Sequence, residues 1–128
     1  KVEIDLDPGT RKLHLPPLTI QPIVENSIVH GLREEGPLHV RVSTALDAAG
    51  WQVVVEDDGQ GIPETDLPHV LRPGFGTGLG IGLNSIDKRL RTVMGRHSRL
   101  EIGPSEQGGT RVALRLPLKG RFSLSSRA

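Results

Sequence analysis

Trp51-Gln52-Val53-Val54-Val55-Glu56-Asp57-Asp58-Gly59-Gln60-Gly61 carries the first clear structural signal in this chain. Side chains alternate across a strand, so Trp51, Val53, Val55 and Asp57 share one face and Asp57 follows three apolar residues toward the core. Asp58 points the other way. A carboxylate at the buried end of a strand needs a donor, because burying it unpaired is costly. Two readings fit Asp57: a turn-capping aspartate before Gly59, or an acceptor for an exocyclic amine of a ligand. Gly59 and Gly61 let the backbone turn sharply and keep side chains out of the space beside that carboxylate.

Upstream, residues 38–46 alternate in the same way, and Asp47-Ala48-Ala49-Gly50 joins the two segments as a hairpin. Residues 2–6 form a further alternating strand, with Pro8-Gly9 marking the turn after it. Thr19 as N-cap predicts a helix running to about Leu32, with Pro22 in the first turn, where its missing N–H costs little. On a helical wheel, Ile20, Ile23, Val24, Ser27, Ile28 and Gly31 take the core side, while Glu25, Asn26 and His30 line the opposite side. That opposite side is either plain wet surface or, with a ligand above it, a carboxylate and a carboxamide set side by side.

Downstream, residues 59–82 keep no period and read as a loop with one short helix near 64–70. They hold seven of the 16 glycines. Gly76-Thr77-Gly78-Leu79-Gly80-Ile81-Gly82-Leu83 leads into a helix expected over 84–94, in which Leu83, Ile86, Leu90 and Val93 recur at helical spacing. Glycines just before a helix N-terminus free backbone N–H groups for an anion, and the helix dipole favours phosphate there. The spacing matches neither the dinucleotide fingerprint nor a P-loop. Strands at 99–102 and 110–116, joined through Gly108-Gly109, complete the order. The expected architecture is α/β: a mixed sheet with both helices packed on one face.

The length, 128 residues and 13.8 kDa, suits one domain, expected over 1–119 with 120–128 as a disordered tail. The absence of cysteine excludes disulfides, thiolate metal sites and cysteine nucleophiles. No apolar run reaches membrane-spanning length and no signal-peptide pattern opens the chain. Trp51, Phe75 and Phe122 are too few for stacking platforms, so no nucleic-acid partner is expected. The net charge of +1 hides a split: residues 1–87 carry 6 Lys/Arg against 13 Asp/Glu, and residues 88–128 carry 10 against 2. The basic part reads first as a solvated or partner-docking face, and only secondarily as a polyanion binder.

Three motifs in fixed order then combine. Gln21-Pro22-Ile23-Val24-Glu25-Asn26-Ser27-Ile28-Val29-His30-Gly31 resembles the N box of sensor histidine kinases, Asp57-Asp58-Gly59-Gln60-Gly61 resembles their D-x-G-x-G box, and Gly80-Ile81-Gly82-Leu83 resembles their second glycine box. A Gly108-Gly109-Thr110 strand follows. The resemblance spans roughly residues 2–118 and is closest to the autolysis-regulator branch of these kinases.

The resemblance implies a two-layer α/β sandwich, the Bergerat ATP-binding fold of histidine kinases, heat-shock chaperone ATPases, gyrase and mismatch-repair ATPases, with ATP and Mg²⁺ as cofactors. It implies Asn26 as the Mg²⁺ ligand through its amide oxygen and Glu25 as general base or water orienter. Asp57 would accept the adenine amine with Thr110 in support, and Gly59 and Gly61 would let adenine approach the backbone. Thr77, Gly78, Gly80 and Gly82 would wrap the phosphates, and the cofactor-binding set also takes in Ile62, Leu79, Ile81 and Leu83. Val29 stands where the family often has a basic phosphate ligand, for which His30 or Arg72 is the substitute. Asp58 replaces a common asparagine.

The five histidines, His14, His30, His39, His69 and His97, fall in loops, strands or the N box rather than on a dimerisation helix. The resemblance therefore implies the cytoplasmic, ATP-binding half of a larger membrane-anchored kinase. That kinase would pass the γ-phosphoryl group to a histidine on a separate dimerisation domain, with a response regulator downstream. The alternatives are a non-catalytic nucleotide-sensing module and a chaperone- or gyrase-type ATPase in which Glu25 activates water. The short 62–79 lid argues against the ATPase.

Overall fold

The computed structural model describes residues 2–10, 12–15, 19–31, 37–69 and 83–118. Strand β1 (Val2–Asp5) is followed by helix α1 (Ile20–Gly31) and the hairpin β2 (Val40–Leu46) and β3 (Trp51–Asp57). Helix α2 (Leu83–Met94) then leads into the second hairpin, β4 (Arg99–Pro104) and β5 (Thr110–Leu116). The sheet has five strands in the order β1-β2-β3-β5-β4. Only β1 and β2 run parallel; the other neighbours are antiparallel. This mixed sheet makes β3 the central strand.

The alternation read from the sequence is what builds the core. Val40, Val42, Val53, Val55, Leu100, Val112 and Leu114 face Ile23 of α1 and Ile86 and Leu90 of α2 in one buried cluster. Each such side chain fully removed from water contributes roughly 1.5–3 kcal/mol. Helix α1 packs on β2, β3 and β5, and α2 packs on β4, so both helices cover the same face as expected. The other face carries Arg41, Gln52, Glu56, Arg99, Glu101, Arg111 and Arg115, with Val54 and Ala113 buried among them. The long stems of those charged residues cover apolar area while their heads stay wet. The result is two layers, sheet and helices, as the resemblance implied.

Local chemistry sets the turns. In the β2–β3 hairpin, Asp47 Oδ1 accepts the N–H groups of Ala49 and Gly50, both at 2.9 Å, and Asp47 N–H donates to the Gly50 carbonyl at 2.8 Å. Helix α1 begins directly after Thr19, at the boundary expected from the capping residue.

Two helical assignments shift at their edges. Ile28 and Val93, both placed on core stripes by spacing, are 40% and 58% exposed. They sit on the flanks of their stripes, whose centres are Ile23 and Leu90. In α2 the inward flank is taken instead by Asp87, which is buried because its Oδ1 accepts the Leu100 N–H at 2.8 Å while Oδ2 meets Arg91 at 3.2 Å. A polar side chain thereby fastens the start of β4 to the helix. The short helix expected near 64–70 is a turn followed by one 3-10 turn, Leu67–His69. The glycine run 76–82 and the tail 120–128 lie outside the described residues.

Ser98, at the entry to β4, is fully buried, and its hydroxyl is the one buried side-chain polar atom among the described residues without a hydrogen bond. Such a group costs about 1–3 kcal/mol of desolvation. Ser98→Ala is therefore expected to be neutral or to stabilise by up to about 1 kcal/mol; chemical denaturation reads the change, and a loss above that size would show that the hydroxyl has a partner. Among the described residues, no helix is long and apolar enough to cross a membrane.

Candidate functional site

Asp57 ends the central strand on the helix-covered face and is 2% exposed. Its Oδ1 accepts two backbone donors, the Gly59 N–H at 2.9 Å and the Thr110 N–H at 3.2 Å, the second from the adjacent strand β5. Oδ2 takes no hydrogen bond from any described residue. The turn-capping reading of Asp57 holds: Oδ1 caps the turn into Gly59 and also ties it to β5. Oδ2 is not among the fully buried unpartnered atoms, so it keeps contact with solvent and retains the capacity to accept an N–H donor.

The surroundings are bare backbone. Gly61 adopts φ +77°, a left-handed conformation that favours glycine. A β-carbon there would stand 3.3 Å from the Gly108 carbonyl oxygen and 3.5 Å from that of Gly109, so the 58–61 loop packs directly on the β4–β5 turn. Gly109 is tighter still. A β-carbon on it would overlap the Asp57 carboxylate and carbonyl and would come within 2.6 Å of the Gly59 nitrogen. The turn is held in place by Gly108 N–H to the Ser105 carbonyl at 3.0 Å, Ser105 N–H to the Gly109 carbonyl at 2.8 Å, and the Ser105 hydroxyl to Glu56 at 3.2 Å.

Asp58 does point away from Asp57, and it clasps His39 before β2. The His39 N–H donates to Asp58 Oδ1 at 2.9 Å, His39 Nδ1 lies 2.8 Å from Oδ2, and the Asp58 N–H donates to the His39 carbonyl at 3.2 Å. The Asp58 carboxylate thereby fixes the loop after β3 to the start of β2.

Of the residues singled out in the sequence, the structure brings together Asp57, Gly59, Gly61 and Thr110. The Thr110 contribution is its backbone N–H. Ile62 is half-buried just beyond the loop, and Leu83 opens α2 half-buried against the core. Glu25 lies on the exposed side of α1, where its carboxylate accepts from Gln21 Nε2 at 3.1 Å. Asn26 and His30 belong to the same helix, one residue and five residues beyond Glu25. Thr77, Gly78, Leu79, Gly80, Ile81 and Gly82 lie outside the described residues. Sequence reading missed the role of Gly109; its only signal was a glycine pair directly before Thr110, taken there as a turn.

Chemically, the arrangement sets a carboxylate with one engaged oxygen beside a stretch of backbone without side chains. Among the described residues, no three His, Asp or Glu side chains converge to hold a metal by themselves.

Comparison with known proteins agrees in extent and fold. The family described as histidine kinase-, DNA gyrase B- and HSP90-like ATPase matches residues 16–120. The sensor protein LytS of Bacillus subtilis is 29% identical over 122 residues, covering 93% of this chain and 21% of that protein. A sensor-like histidine kinase of Staphylococcus epidermidis is 30% identical over 118 residues, covering 90% of this chain and 23% of that one. The chain thus spans about a fifth of the length of the curated relatives it matches. The crystal structure of the ATP-binding domain of PrrB from Mycobacterium tuberculosis superposes with a TM-score of 0.63 at 22% identity, over 94% of this chain and 81% of that one.

Proposed function

We propose, for a chain that belongs to the family of histidine kinase-, DNA gyrase B- and HSP90-like ATPases, that it binds ATP as the catalytic domain of a sensor histidine kinase. The observation that carries the reading is the Asp57 carboxylate, with Oδ1 engaged by Gly59 and Thr110 and Oδ2 left to accept the adenine amine. Gly59 and Gly61 would let a planar base lie against backbone, and the close approach of Gly109 to Asp57 and Gly59 holds the carboxylate in place. Ile62 supplies an apolar edge, and Leu83 starts the helix whose N-terminus would face the phosphates. The run Thr77, Gly78, Leu79, Gly80, Ile81 and Gly82 would enclose those phosphates, with His30 in place of the basic ligand that Val29 lacks.

Mg²⁺ is a cation bound through one or two protein ligands together with substrate phosphates. The Asn26 amide oxygen would be that ligand. Mg²⁺, when bound, neutralises charge on the phosphates. Phosphoryl transfer asks the protein mainly for positioning and electrostatics. The acceptor would be a histidine on a separate dimerisation domain: the bond from the γ-phosphorus to the ADP oxygen breaks and a bond to an imidazole nitrogen forms. Glu25, exposed and next to Asn26, would orient or deprotonate that imidazole. The names of the relatives support transfer to histidine, and on that reading a response regulator lies downstream of a membrane-anchored parent whose catalytic domain faces the cytoplasm.

The test is nucleotide-dependent stabilisation. ATP or ADP at 100 times its Kd should stabilise the fold by about 2.7 kcal/mol, visible as a rise in the unfolding midpoint. No shift at millimolar nucleotide would end the reading. For the transfer step, Asn26→Ala should lower Mg²⁺-dependent labelling of a supplied histidine domain by roughly 100-fold or more, while Kd for ADP without Mg²⁺ changes little. Undiminished labelling would remove Asn26 from the metal site.

A further inference from the structure

The loop that leaves β3 is held from both sides, and the two sides differ in kind. Toward β5 the hold is made by backbone: Asp57 Oδ1 accepts from Gly59 and Thr110, and Gly61 packs on the Gly108 and Gly109 carbonyls. Toward β2 it runs through one pair of residues, His39 and Asp58, directly beyond the last rung of the ladder, where Val40 stands opposite Asp57. Resting on the reading that Asp57 receives the adenine of ATP, we infer that His39 is a positioning residue for the nucleotide site. Through Asp58 its ring keeps the 57–61 loop in place, and does so in both of its charge states.

The geometry assigns the protons. The His39 main-chain N–H can only donate, and it occupies Asp58 Oδ1 at 2.9 Å. Oδ2 is left facing the ring, 2.8 Å from Nδ1. An ionised carboxylate only accepts, so Nδ1 carries a proton whether or not Nε2 does. Protonation of the ring, the charge change open to a histidine near neutral pH, therefore leaves the contact in place and adds charge to it. A carboxamide at position 58 would behave in the opposite way. Its oxygen would take the main-chain N–H and its NH₂ would meet Nδ1, which accepts only in the neutral ring. Acid would then set two donors against each other, and the half-exposed ring would turn to water and open the clasp.

Exposure alternates along Leu38, His39 and Val40, so the His39 ring is turned away from the core, onto the sheet face that α1 and α2 leave uncovered. Charged neighbours on that face come from three strands: Arg41 on β2, Glu56 on β3 and Glu3 on β1. Arg41 is taken by Asp5 at 2.6 Å, and Glu56 accepts the Ser105 hydroxyl at 3.2 Å. Asp58 is the carboxylate in contact with the ring. A ligand's apparent affinity scales with the fraction of molecules in which its site stands ready, so a clasp that holds the loop beside Asp57 sets nucleotide affinity without touching the nucleotide.

The experiment titrates ADP into the unsubstituted chain, His39→Ala, His39→Asn and Asp58→Asn between about pH 5 and 8, with thermal melts to check that each is folded. His39→Ala should weaken binding about fivefold, the scale of a half-exposed contact to a charged group. His39→Asn, whose NH₂ stands where the Nδ1 proton stood, should restore it to within about twofold. The phosphates of ADP and the other histidines titrate in the same range, so each profile is divided by that of His39→Asn, in which they titrate equally. The ratio should stay level or rise with acid for the unsubstituted chain, and should fall about fivefold for Asp58→Asn, to the level of His39→Ala. Without nucleotide, amide exchange at Asp58 and Gly59 should quicken in His39→Ala by the same factor. Undiminished ADP binding by His39→Ala, no restoration by His39→Asn, or parallel profiles for Asp58→Asn and the unsubstituted chain would each overturn the role of His39 and leave the nucleotide reading standing. If His39→Ala does not fold, the contrast between His39→Asn and Asp58→Asn decides alone. No ADP binding by the unsubstituted chain would overturn the nucleotide reading itself, and the role of His39 with it.

Discussion

Replacing Gly109 with alanine should abolish nucleotide binding and destabilise the domain by about 1–3 kcal/mol, the usual range for forcing extra volume into a packed site. The atoms its β-carbon would meet are the Asp57 carboxylate and carbonyl and the Gly59 nitrogen. Two of these are backbone, and the third is fixed by two hydrogen bonds, so none can swing aside as the tip of a flexible side chain would. Relief would have to come from moving β5 away from β3 or pushing Asp57 off its donors, and either change dismantles the acceptor. Gly103 is the internal control. A β-carbon there meets nothing within 4 Å, and Gly103→Ala on the same strand pair should be neutral or stabilise by up to about 1 kcal/mol. Thermal melts and ADP titration of the two variants measure the contrast. A Gly109→Ala protein that binds ADP like the unsubstituted chain would show that Asp57 is not the nucleotide acceptor.

Asp57→Asn should separate recognition from folding. The asparagine oxygen can still accept from Gly59 and Thr110, so stability should change by no more than about 1 kcal/mol. Its NH₂ group, however, replaces the free acceptor with a donor facing the adenine amine. Loss of a charged hydrogen bond of about 1.5–3 kcal/mol, with two donors then opposed, amounts to at least about 100-fold in affinity. Inosine triphosphate sharpens the test, because it carries an oxygen where ATP carries the amine. The unsubstituted chain should prefer ATP strongly and Asp57→Asn should lose or invert that preference. An unchanged ratio of the two affinities would place the base elsewhere. If neither nucleotide binds the unsubstituted chain, the fault lies with the whole nucleotide reading rather than with Asp57 alone.

Much of this was legible without coordinates because it depends on periodicity and local chain geometry. Trp51, Val53, Val55 and Asp57 share a face in any strand, and all four are buried at 6% exposure or less. Residues 20–31 alternate as an amphipathic helix must, and Gly59 and Gly61 announce a sharp turn wherever the chain goes afterwards. Spacing failed at the flanks. Ile28 and Val93 are as apolar as their neighbours, and only the distance between helix and sheet decides whether a flanking side chain is covered. Asp87 shows the converse, a charged residue drawn inward because the N–H of Leu100, the second residue of β4 and 13 residues away, needed an acceptor.

The sequence by itself thus determined the central strand, the carboxylate at its buried end, the order of elements, and the glycines placed where bare backbone is needed. The tertiary structure alone decided which atoms satisfy that carboxylate. Thr110 lies 53 residues from Asp57 and donates through a backbone N–H that every residue but proline possesses, so no side-chain pattern could reveal it. The same holds for Gly109, whose importance is the absence of an atom at a β3–β5 approach, and for His39 and Asp58, neighbours only because two strands pair in one register. Period and turn chemistry are written along the chain; contact between distant segments is set by sheet register and the packing distance of the layers, which appear only once the chain has folded.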